Sequence, residues 1–417
     1  MSLSNSFVQT ELPRLVFLPS GVGNLTPFFR LAVMLASHNC RVTFINVQPQ
    51  TPEFARFASF FNHHPRIEIL DFEFQSHTPS DSTINDPFII HIENNNRSLY
   101  QLIPILSSSQ ISAIFSDFLK SENPNIFSSS FGDIEIQGFE PVPKSSVPPT
   151  WMNDSTNYLL TAYLLPNAKS LTKVNGVFLN TFDWFEPETI AALNSNRVLN
   201  SLPPVFPIGP MQSYHPLESL HLPWLSEQPA ESVVYVNFGS REVMSTDQIR
   251  ELRKGLEICR YNYLWVMKDD NGEFSGDSCL KGTRKGEIIR GGVDQEKVLA
   301  HPAIGGYVNQ CEWDSVIQAA WCGVPVLAWP QHGDQKMNAE IVEKVGLGIW
   351  MKEWGWGGET LVAGKEIGRL VAQIMGDLNI KKKAKIVREK AREACEIGGS
   401  SEKVFSDFIK MFTSNGK

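Results

Sequence analysis

The sequence lacks several features, and each absence excludes a class of protein. No apolar run reaches the length of about 18 residues that a membrane-spanning helix requires, so we expect no membrane span. Basic residues are outnumbered, 37 to 45, and the formal net charge of −8 leaves no cationic surplus for a nucleic acid. The first residues carry no basic segment followed by an apolar one, so we expect no secretory signal and a cytoplasmic location.

Cysteine and histidine are also sparse. The six cysteines are scattered without a Cys-x-x-Cys pair, which predicts free thiols and no zinc site. His63 and His64 have no third ligand at a suitable spacing, so we expect no metal. Apolar residues, in contrast, make up 42% of the 417 residues and include 26 Phe and 10 Trp. This composition predicts two or three domains with large cores or apolar pockets.

Short apolar runs alternate with segments of helical spacing in the first half of the chain. Strands are predicted at residues 15–19, 41–47, 67–72, 111–117 and 177–181, because β-branched and aromatic residues dominate them. Strands that alternate with helices in this way build a parallel sheet with helices on its faces.

A second α/β pattern follows a stretch rich in Pro, Ser and His. We assign residues 1–201 to an N-terminal domain, 202–230 to a linker and 231–400 to a C-terminal domain. Residues 268–291 are polar and glycine-rich and are predicted to form a loop. The lysine cluster at residues 381–385 is interpreted as a solvated helix face, with phosphate binding as the alternative. Two Rossmann-like domains joined in this way hold a ligand in the cleft between them.

Residues 292–335 carry the most specific pattern of the sequence. Its framework lies at residues 301–306, 323–325 and 329–335. The segment resembles the donor-binding box of plant family 1 UDP-dependent glycosyltransferases, which also has 44 positions (335 − 292 + 1 = 44). Further stretches resemble the C-glycosyltransferase branch in particular, and they lie at residues 25–28, 86–88, 185–189, 237–241 and 354–358.

This resemblance extends over the whole chain and implies the α/β architecture called GT-B. The domain at residues 1–201 would bind the acceptor and the domain at residues 231–400 the UDP-sugar. The resemblance also implies that the C-terminal helix, residues 401–417, packs back on the first domain. After Asp117 the chain passes quickly to a serine run where relatives have an apolar helix and strand, so we predict a shortened first domain.

Several positions of the box depart from the family pattern. The family's stacking Trp is Gly292 in this chain, its diphosphate-binding His is Gln310, and its ribose-binding Glu is Gln318. Glu312 and Asp314 stand where the family has Gly and Asn. The positions of the box that still match the family are Gln295, Trp313, Ser315, Asp334 and Gln335.

These replacements are expected to weaken binding of a sugar nucleotide. An aromatic platform under a base is worth about 1–3 kcal/mol, and a charge-assisted ribose contact about 1.5–3 kcal/mol. Each added carboxylate repels a diphosphate by up to about 4 kcal/mol at close range. The total is on the order of 5 kcal/mol, or roughly four decades in affinity. Glu312, Asp314 and Ser315 are also suited to capping a vacant helix N-terminus.

The base that the resemblance implies is replaced as well. Asn24 occupies the position of the family's catalytic His, and it can orient a phenol but cannot accept its proton. Asp117 matches the carboxylate that orients that His. Asp86 is either an acid or base for the ligand or a turn cap, and His91 is either a substitute base or a structural residue. Further ligand contacts are expected from Phe88, Gly239, Ser240 and Arg241.

We therefore hypothesise that the chain no longer transfers sugar. It would bind a phenolic, acylphloroglucinol-like or polyketide-like ligand and promote a cycloaddition, cyclisation or isomerisation by positioning it, with no cofactor. One alternative is a UDP-glucose-dependent C-glycosyltransferase of phenolic or flavonoid acceptors. The other is a non-catalytic binding partner of pathway enzymes. We expect a monomer that binds no nucleic acid.

Overall fold

The two halves of the chain each fold around their own parallel sheet. The computed structural model describes residues 12–19, 25–46, 61, 64–72, 102, 111–116, 141–147, 170–195, 202–211, 222–239, 244–267 and 285–413. In this part of the chain, no helix combines the length and the hydropathy needed to cross a membrane.

The first half contains a four-stranded parallel sheet in the order β3-β2-β1-β4. Its strands are β1 (Arg14–Leu18), β2 (Arg41–Asn46), β3 (Ile67–Asp71) and β4 (Ala113–Ser116), and helix α1 (Thr26–Ser37) connects β1 to β2. Leu15 and Phe17 are buried against α1, whereas Val16 faces a small cluster on the opposite side. The strands predicted at these four places are confirmed, because alternate residues pack on both faces of the sheet.

A separate pair of parallel strands follows: β5 (Val177–Leu179) and β6 (Val205–Pro207), with α2 (Pro187–Asn194) between them. The predicted strand at 177–181 therefore does not extend the first sheet, and the predicted linker contains β6 and a short helix, α3 (Pro223–Ser226). The Asn194 side chain joins the end of α2 to the start of β6. It donates to the Val205 carbonyl at 3.1 Å and accepts from the Val205 N–H at 3.0 Å.

The second half contains a six-stranded parallel sheet in the order β12-β11-β10-β7-β8-β9. Its strands are β7 (Val233–Asn237), β8 (Asn262–Met267), β9 (Gly286–Arg290), β10 (Ile304–Asn309), β11 (Val326–Ala328) and β12 (Gly348–Trp350). The prediction of a loop over 268–291 is wrong for β9, while residues 268–284 lie outside the described part. The glycine that suggested a turn is needed for packing, since a Cβ at Gly286 would overlap the Tyr263 ring.

Helices cover both faces of the six-stranded sheet. Val234 and Val236 pack against α4 (Thr246–Ile258) and α8 (Gly364–Gly376). Val233 and Tyr235 face the other side, because successive strand residues point in opposite directions. That side is covered by α5 (Gln295–Ala300), α6 (Trp313–Cys322), α7 (Gln335–Lys344) and α9 (Leu378–Cys395).

The last helix, α10 (Ser400–Thr413), packs on the first half of the chain. Phe405 and Ile409 are buried in the cluster that contains β1 and α1. Ser401 Oγ donates to the Gly209 carbonyl at 2.5 Å, and Cys395 Sγ donates to the Pro210 carbonyl at 3.3 Å. The C-terminus thus returns alongside the segment that leads from the first half to the second.

Candidate active site

The candidate site lies where β7 and β10 end. These neighbouring strands pair in parallel with Asn237 opposite Asn309, so the turns that follow them meet at one edge of the sheet. Gly239 has a positive φ of 74°, and a Cβ there would lie 2.6 Å from Gln310 Nε2. The turn after β7 therefore needs glycine both for its backbone conformation and for the close approach of Gln310.

The Gln295 amide, at the start of α5, is the centre of a hydrogen-bond network. Its Oε1 accepts from Tyr307 Oη at 2.8 Å and from Asn237 Nδ2 at 2.9 Å. Its Nε2 donates to Gln318 Oε1 at 2.7 Å and to Ser315 Oγ at 3.0 Å. Both lone pairs and both hydrogens of the amide are thus used. The structure brings together Gln295 and Ser315, which match the family pattern, and Gln318, which departs from it.

Gln335 lies beneath the N-terminus of α6 and is fully buried. Its Oε1 accepts from the backbone N–H groups of Gln331, at 2.8 Å, and His332, at 3.0 Å. Its Nε2 donates to Glu312 Oε1 at 2.8 Å. Glu312 occupies the N-cap position of α6 but makes no capping bond, so the predicted cap is wrong. Its carboxylate is attracted to the Gln335 amide instead.

Asp334 and Gly292 are both exposed at this edge. The Asp334 side chain makes no capping bond to α7. A Cβ at Gly292 would meet no atom within 4 Å. The carboxylate is accessible to the hydroxyl groups of a ligand, and the space beside Gly292 would accept a large side chain.

Gln310 differs from its neighbours because its side chain is buried and its amide oxygen accepts no hydrogen bond from a described residue. It is 6% exposed, and its Oε1 has no hydrogen-bond partner in the described part of the chain. Buried polar atoms are usually paired, so an orphaned amide oxygen is unusual. A neutral amide at this position also supplies no positive charge for a diphosphate.

Arg30 of α1 reaches across to the second half of the chain. It is 6% exposed, donates to the Met211 carbonyl at 2.9 Å and forms an ion pair with Glu296 of α5. Burial lowers its pKa, while Asp314 and Asp294 act to raise it. Burial raises the pKa of Asp314, and the charge of Arg30 acts in the opposite direction. The Asp314 carboxylate therefore faces a cation, which offsets part of its predicted repulsion of a diphosphate.

Two further contacts join the halves near the site. Trp313 Nε1 donates to the Asn180 carbonyl at 2.9 Å, and its ring packs edge-on against Phe185. Lys336 Nζ donates to the Ser145 carbonyl at 2.9 Å and lies 4.1 Å from the centre of the Trp356 ring. These contacts fix the positions of the two sides of the predicted cleft relative to each other.

Comparison with known proteins identifies the family. The family model for "UDP-glucoronosyl and UDP-glucosyl transferase" matches residues 203–361. UDP-glycosyltransferase 708C1 of Fagopyrum esculentum is 39% identical over 98% of each chain, and UDP-glycosyltransferase CGT of Oryza sativa subsp. japonica is 36% identical over 96% of each. The chain belongs to the plant family 1 UDP-glycosyltransferases.

Solved structures of the family agree with this assignment. The crystal structure of LpCGTa in complex with UDP is 35% identical, with a TM-score of 0.82 over 97% of this chain and 100% of that one. The crystal structure of TcCGT1 in complex with UDP, at 24% identity and a TM-score of 0.79, has the same fold. The predicted GT-B fold is confirmed.

The family relationship bears on the predicted activity. The relatives named above are UDP-glycosyltransferases, so they agree better with the C-glycosyltransferase alternative than with the hypothesis of lost sugar transfer. The alignment with the Fagopyrum enzyme extends over 458 positions, whereas this glycosyltransferase family member has 417 residues. At least 41 positions of that alignment (458 − 417) therefore have no counterpart in this chain.

Several predicted site residues lie outside the described part of this UDP-glycosyltransferase. They are Asn24, Asp86, Phe88, His91, Asp117, Ser240 and Arg241. The described residues contain no group of three or more His, Cys, Asp or Glu side chains that could hold a metal ion.

Sequence reasoning missed Arg30, Tyr307 and Lys336. Arg30 had a recognisable signal, because a cation within an otherwise apolar helix must find a buried partner. Lys336 directly follows the box and had a positional signal only. Tyr307 was indistinguishable from a core residue, because only the fold brings its hydroxyl to Gln295.

Proposed function

We propose that this protein transfers a sugar from a UDP-sugar to a ring carbon of a phenolic acceptor. The observation that carries the proposal is the group of Gln295, Ser315 and Gln318 at the carboxyl edge of the sheet. It supplies hydroxyl and amide groups beside the N-terminus of α6, a position suited to a nucleotide. The relatives, which include C-glycosyltransferases, support the same activity.

In this proposal the second domain holds the donor as a substrate. The Gln318 amide, held in place by Gln295, would bind a ribose hydroxyl, and Ser315 with the first N–H groups of α6 would face the diphosphate. The exposed Asp334 carboxylate would accept from sugar hydroxyls. Donor binding would be weaker than with a stacking Trp and a ribose-binding carboxylate, because Gly292 and Gln318 supply neither.

The acceptor chemistry requires an electron-rich carbon beside a phenolic oxygen. That carbon attacks the anomeric carbon of the sugar. The new carbon–carbon bond forms as the bond to UDP breaks, and UDP leaves with the electron pair. The ring then loses the proton from the attacking carbon. Asn24 cannot accept the phenolic proton, so the titratable groups proposed for this task are Asp86, His91 and Asp117.

The test is incubation of the purified protein with UDP-glucose and an acylphloroglucinol, followed by mass spectrometry. We expect a product with added hexose that resists acid hydrolysis, since a carbon–carbon bond is not cleaved as an O-glycoside is. Asp334→Ala should abolish product formation, whereas Asp407→Ala, an exposed acid on α10, should leave it unchanged.

Two outcomes would contradict the proposal. Conversion of the acceptor without UDP-glucose would favour a sugar-independent cyclisation or isomerisation. Binding of the acceptor without any conversion, in the presence or absence of UDP-glucose, would favour a non-catalytic binding partner.

A further inference from the structure

One face of α9 carries a row of cations. Lys381, Lys385, Arg388 and Arg392 follow spacings of four, three and four residues, so they form a single stripe along the helix. The buried stripe of the same helix is made by Ala384, Val387, Ala391 and Ala394. The two stripes are adjacent: Lys381 and Arg388 are half-buried beside the core, and Lys385 and Arg392 are exposed.

The cations line a cavity of about 230 Å³ in the second domain. Its opposite wall is formed by His301 and Pro302, which precede β10, and by the last turn of α6 with the residues that follow it up to Pro325. These segments lie at the amino ends of β10 and β11. The carboxyl ends of the same strands lead to the candidate active site, so the cavity opens at the other edge of the sheet.

Only one carboxylate among the described residues lining the cavity offsets these four cations. Glu231 pairs with Lys381 at 2.9 Å and with Lys385 at 3.2 Å, and these contacts lower its pKa. No carboxylate of the described chain lies within ion-pair distance of Arg388 or Arg392. The formal charge around the cavity is thus +3 in a protein whose net charge is −8.

The two arginines are held in place by packing. The Arg392 guanidinium lies 5.5 Å from the centre of the Trp321 ring. The Arg388 stem packs closely against Gly323, the left-handed residue that ends α6. Guanidinium groups bind phosphate oxygens through paired hydrogen bonds, and a fixed guanidinium loses little freedom when it does so.

We propose that this cavity is a second anion site, which binds a small phosphate-bearing molecule through Arg388 and Arg392. The size of the cavity and its several cations favour a phosphate ester or a diphosphate over a singly charged carboxylate. The site is separate from the donor site, so the proposal does not depend on whether the protein transfers sugar.

The test is calorimetric titration of the full chain with inorganic pyrophosphate at constant ionic strength. We expect saturable binding that is about tenfold or more weaker in Arg388→Gln/Arg392→Gln, because two charge-assisted contacts are lost. Arg369→Gln, an exposed arginine on α8, is the matched control and should bind as the unaltered protein does.

Either of two results would overturn the proposal. The first is the absence of saturable binding to the unaltered protein. The second is equal affinity in Arg388→Gln/Arg392→Gln, which would leave the arginines with the structural role of bracing the C-terminus of α6. If the double variant does not fold by circular dichroism, Arg388→Lys/Arg392→Lys decides. It keeps the charge and loses the paired geometry, so weaker binding supports the site and unchanged binding refutes it.

Discussion

At the scale of single residues, the polar side chains of the site are fixed in place by hydrogen bonds to each other. Gln295 has all of its hydrogen-bonding capacity satisfied by Asn237, Tyr307, Ser315 and Gln318. A saturated amide of this kind is rigid, because moving it would leave several buried groups unpaired. A ligand that uses Gln318 must therefore share or replace a bond that already exists.

Gly292→Trp combined with Gln318→Glu should tighten UDP binding by about tenfold or more. The Trp would supply a stacking surface and the Glu a charged ribose acceptor. Open space surrounds Gly292, and Glu keeps the oxygen that accepts from Gln295, so both changes fit the structure. Calorimetric titration with UDP measures the effect, and Gly292→Ala with Gln318→Glu isolates the contribution of the ring. Unchanged affinity would contradict the prediction and leave Gln310, Glu312 and Asp314 as the departures that limit donor binding.

Asp314→Asn should stabilise the protein increasingly as pH rises. Burial raises the folded-state pKa of Asp314 above its ordinary value of 3.8. The neutral, protonated form is the one that the buried site favours. The contribution of Asp314 to the free energy of unfolding is therefore complete below pH 3.8 and is lost as pH rises through the folded-state pKa. Asn has no proton to lose. Urea unfolding of both proteins between about pH 4 and about pH 7 should show a difference that grows with pH; a constant difference would refute the explanation.

At the scale of elements, short apolar runs predicted most strands, because a parallel strand buried on both faces needs apolar residues at consecutive positions. β9 was missed because Gly286 makes way for a tyrosine ring, which no local pattern shows. The N-terminus of α6 was misjudged for a related reason. Glu312 has the chemistry of a cap, but Gln335, 23 residues away, competes for its carboxylate. Local rules fail where a distant partner offers a better hydrogen bond.

Helix α1 should depend on Arg30 for its attachment to α5. Arg30→Met would leave Glu296 and Asp314 without their cation, and breaking a buried ion pair on one side costs about 3–5 kcal/mol. Arg14→Met is the matched control, since Arg14 is partly exposed and makes one hydrogen bond, to Thr43 Oγ1 at 3.2 Å, and a long pair with Glu68 at 4.0 Å. That loss should be smaller, about 1–2 kcal/mol. Urea unfolding measures both, and equal losses would contradict the assignment.

At the scale of the whole molecule, the two-domain arrangement was predictable from the resemblance of the box to a known family. The contacts that join the halves were not. Arg30, Trp313 and Lys336 bind backbone carbonyl groups of the first half, or of the segment that leaves it, and a carbonyl has no sequence signature. The activity is also a property of this scale, since the proposed bases and the donor site come from different halves.

Phe405→Ala should destabilise the first domain although the residue lies near the C-terminus. Phe405 is buried in the core of that domain, and truncation of a buried Phe costs about 3–5 kcal/mol. Met411→Ala, at an exposed position of the same helix, should change stability by less than about 0.5 kcal/mol. Hydrogen exchange should accelerate in β1 and β2 more than in β7 and β10. Equal acceleration in both sheets would contradict this prediction.

The three carbonyls of residues 209–211 are each held by a different element. Gly209 accepts from Ser401, Pro210 from Cys395 and Met211 from Arg30. The segment that leaves the first half thus lies beside the helix that returns to it, and the two are joined by hydrogen bonds. The three carbonyls leave this short segment little freedom to move separately from the helices that bind it. A change in the angle between the two halves would therefore have to break these hydrogen bonds, or those of Trp313 and Lys336 near the site, before it could widen the cleft.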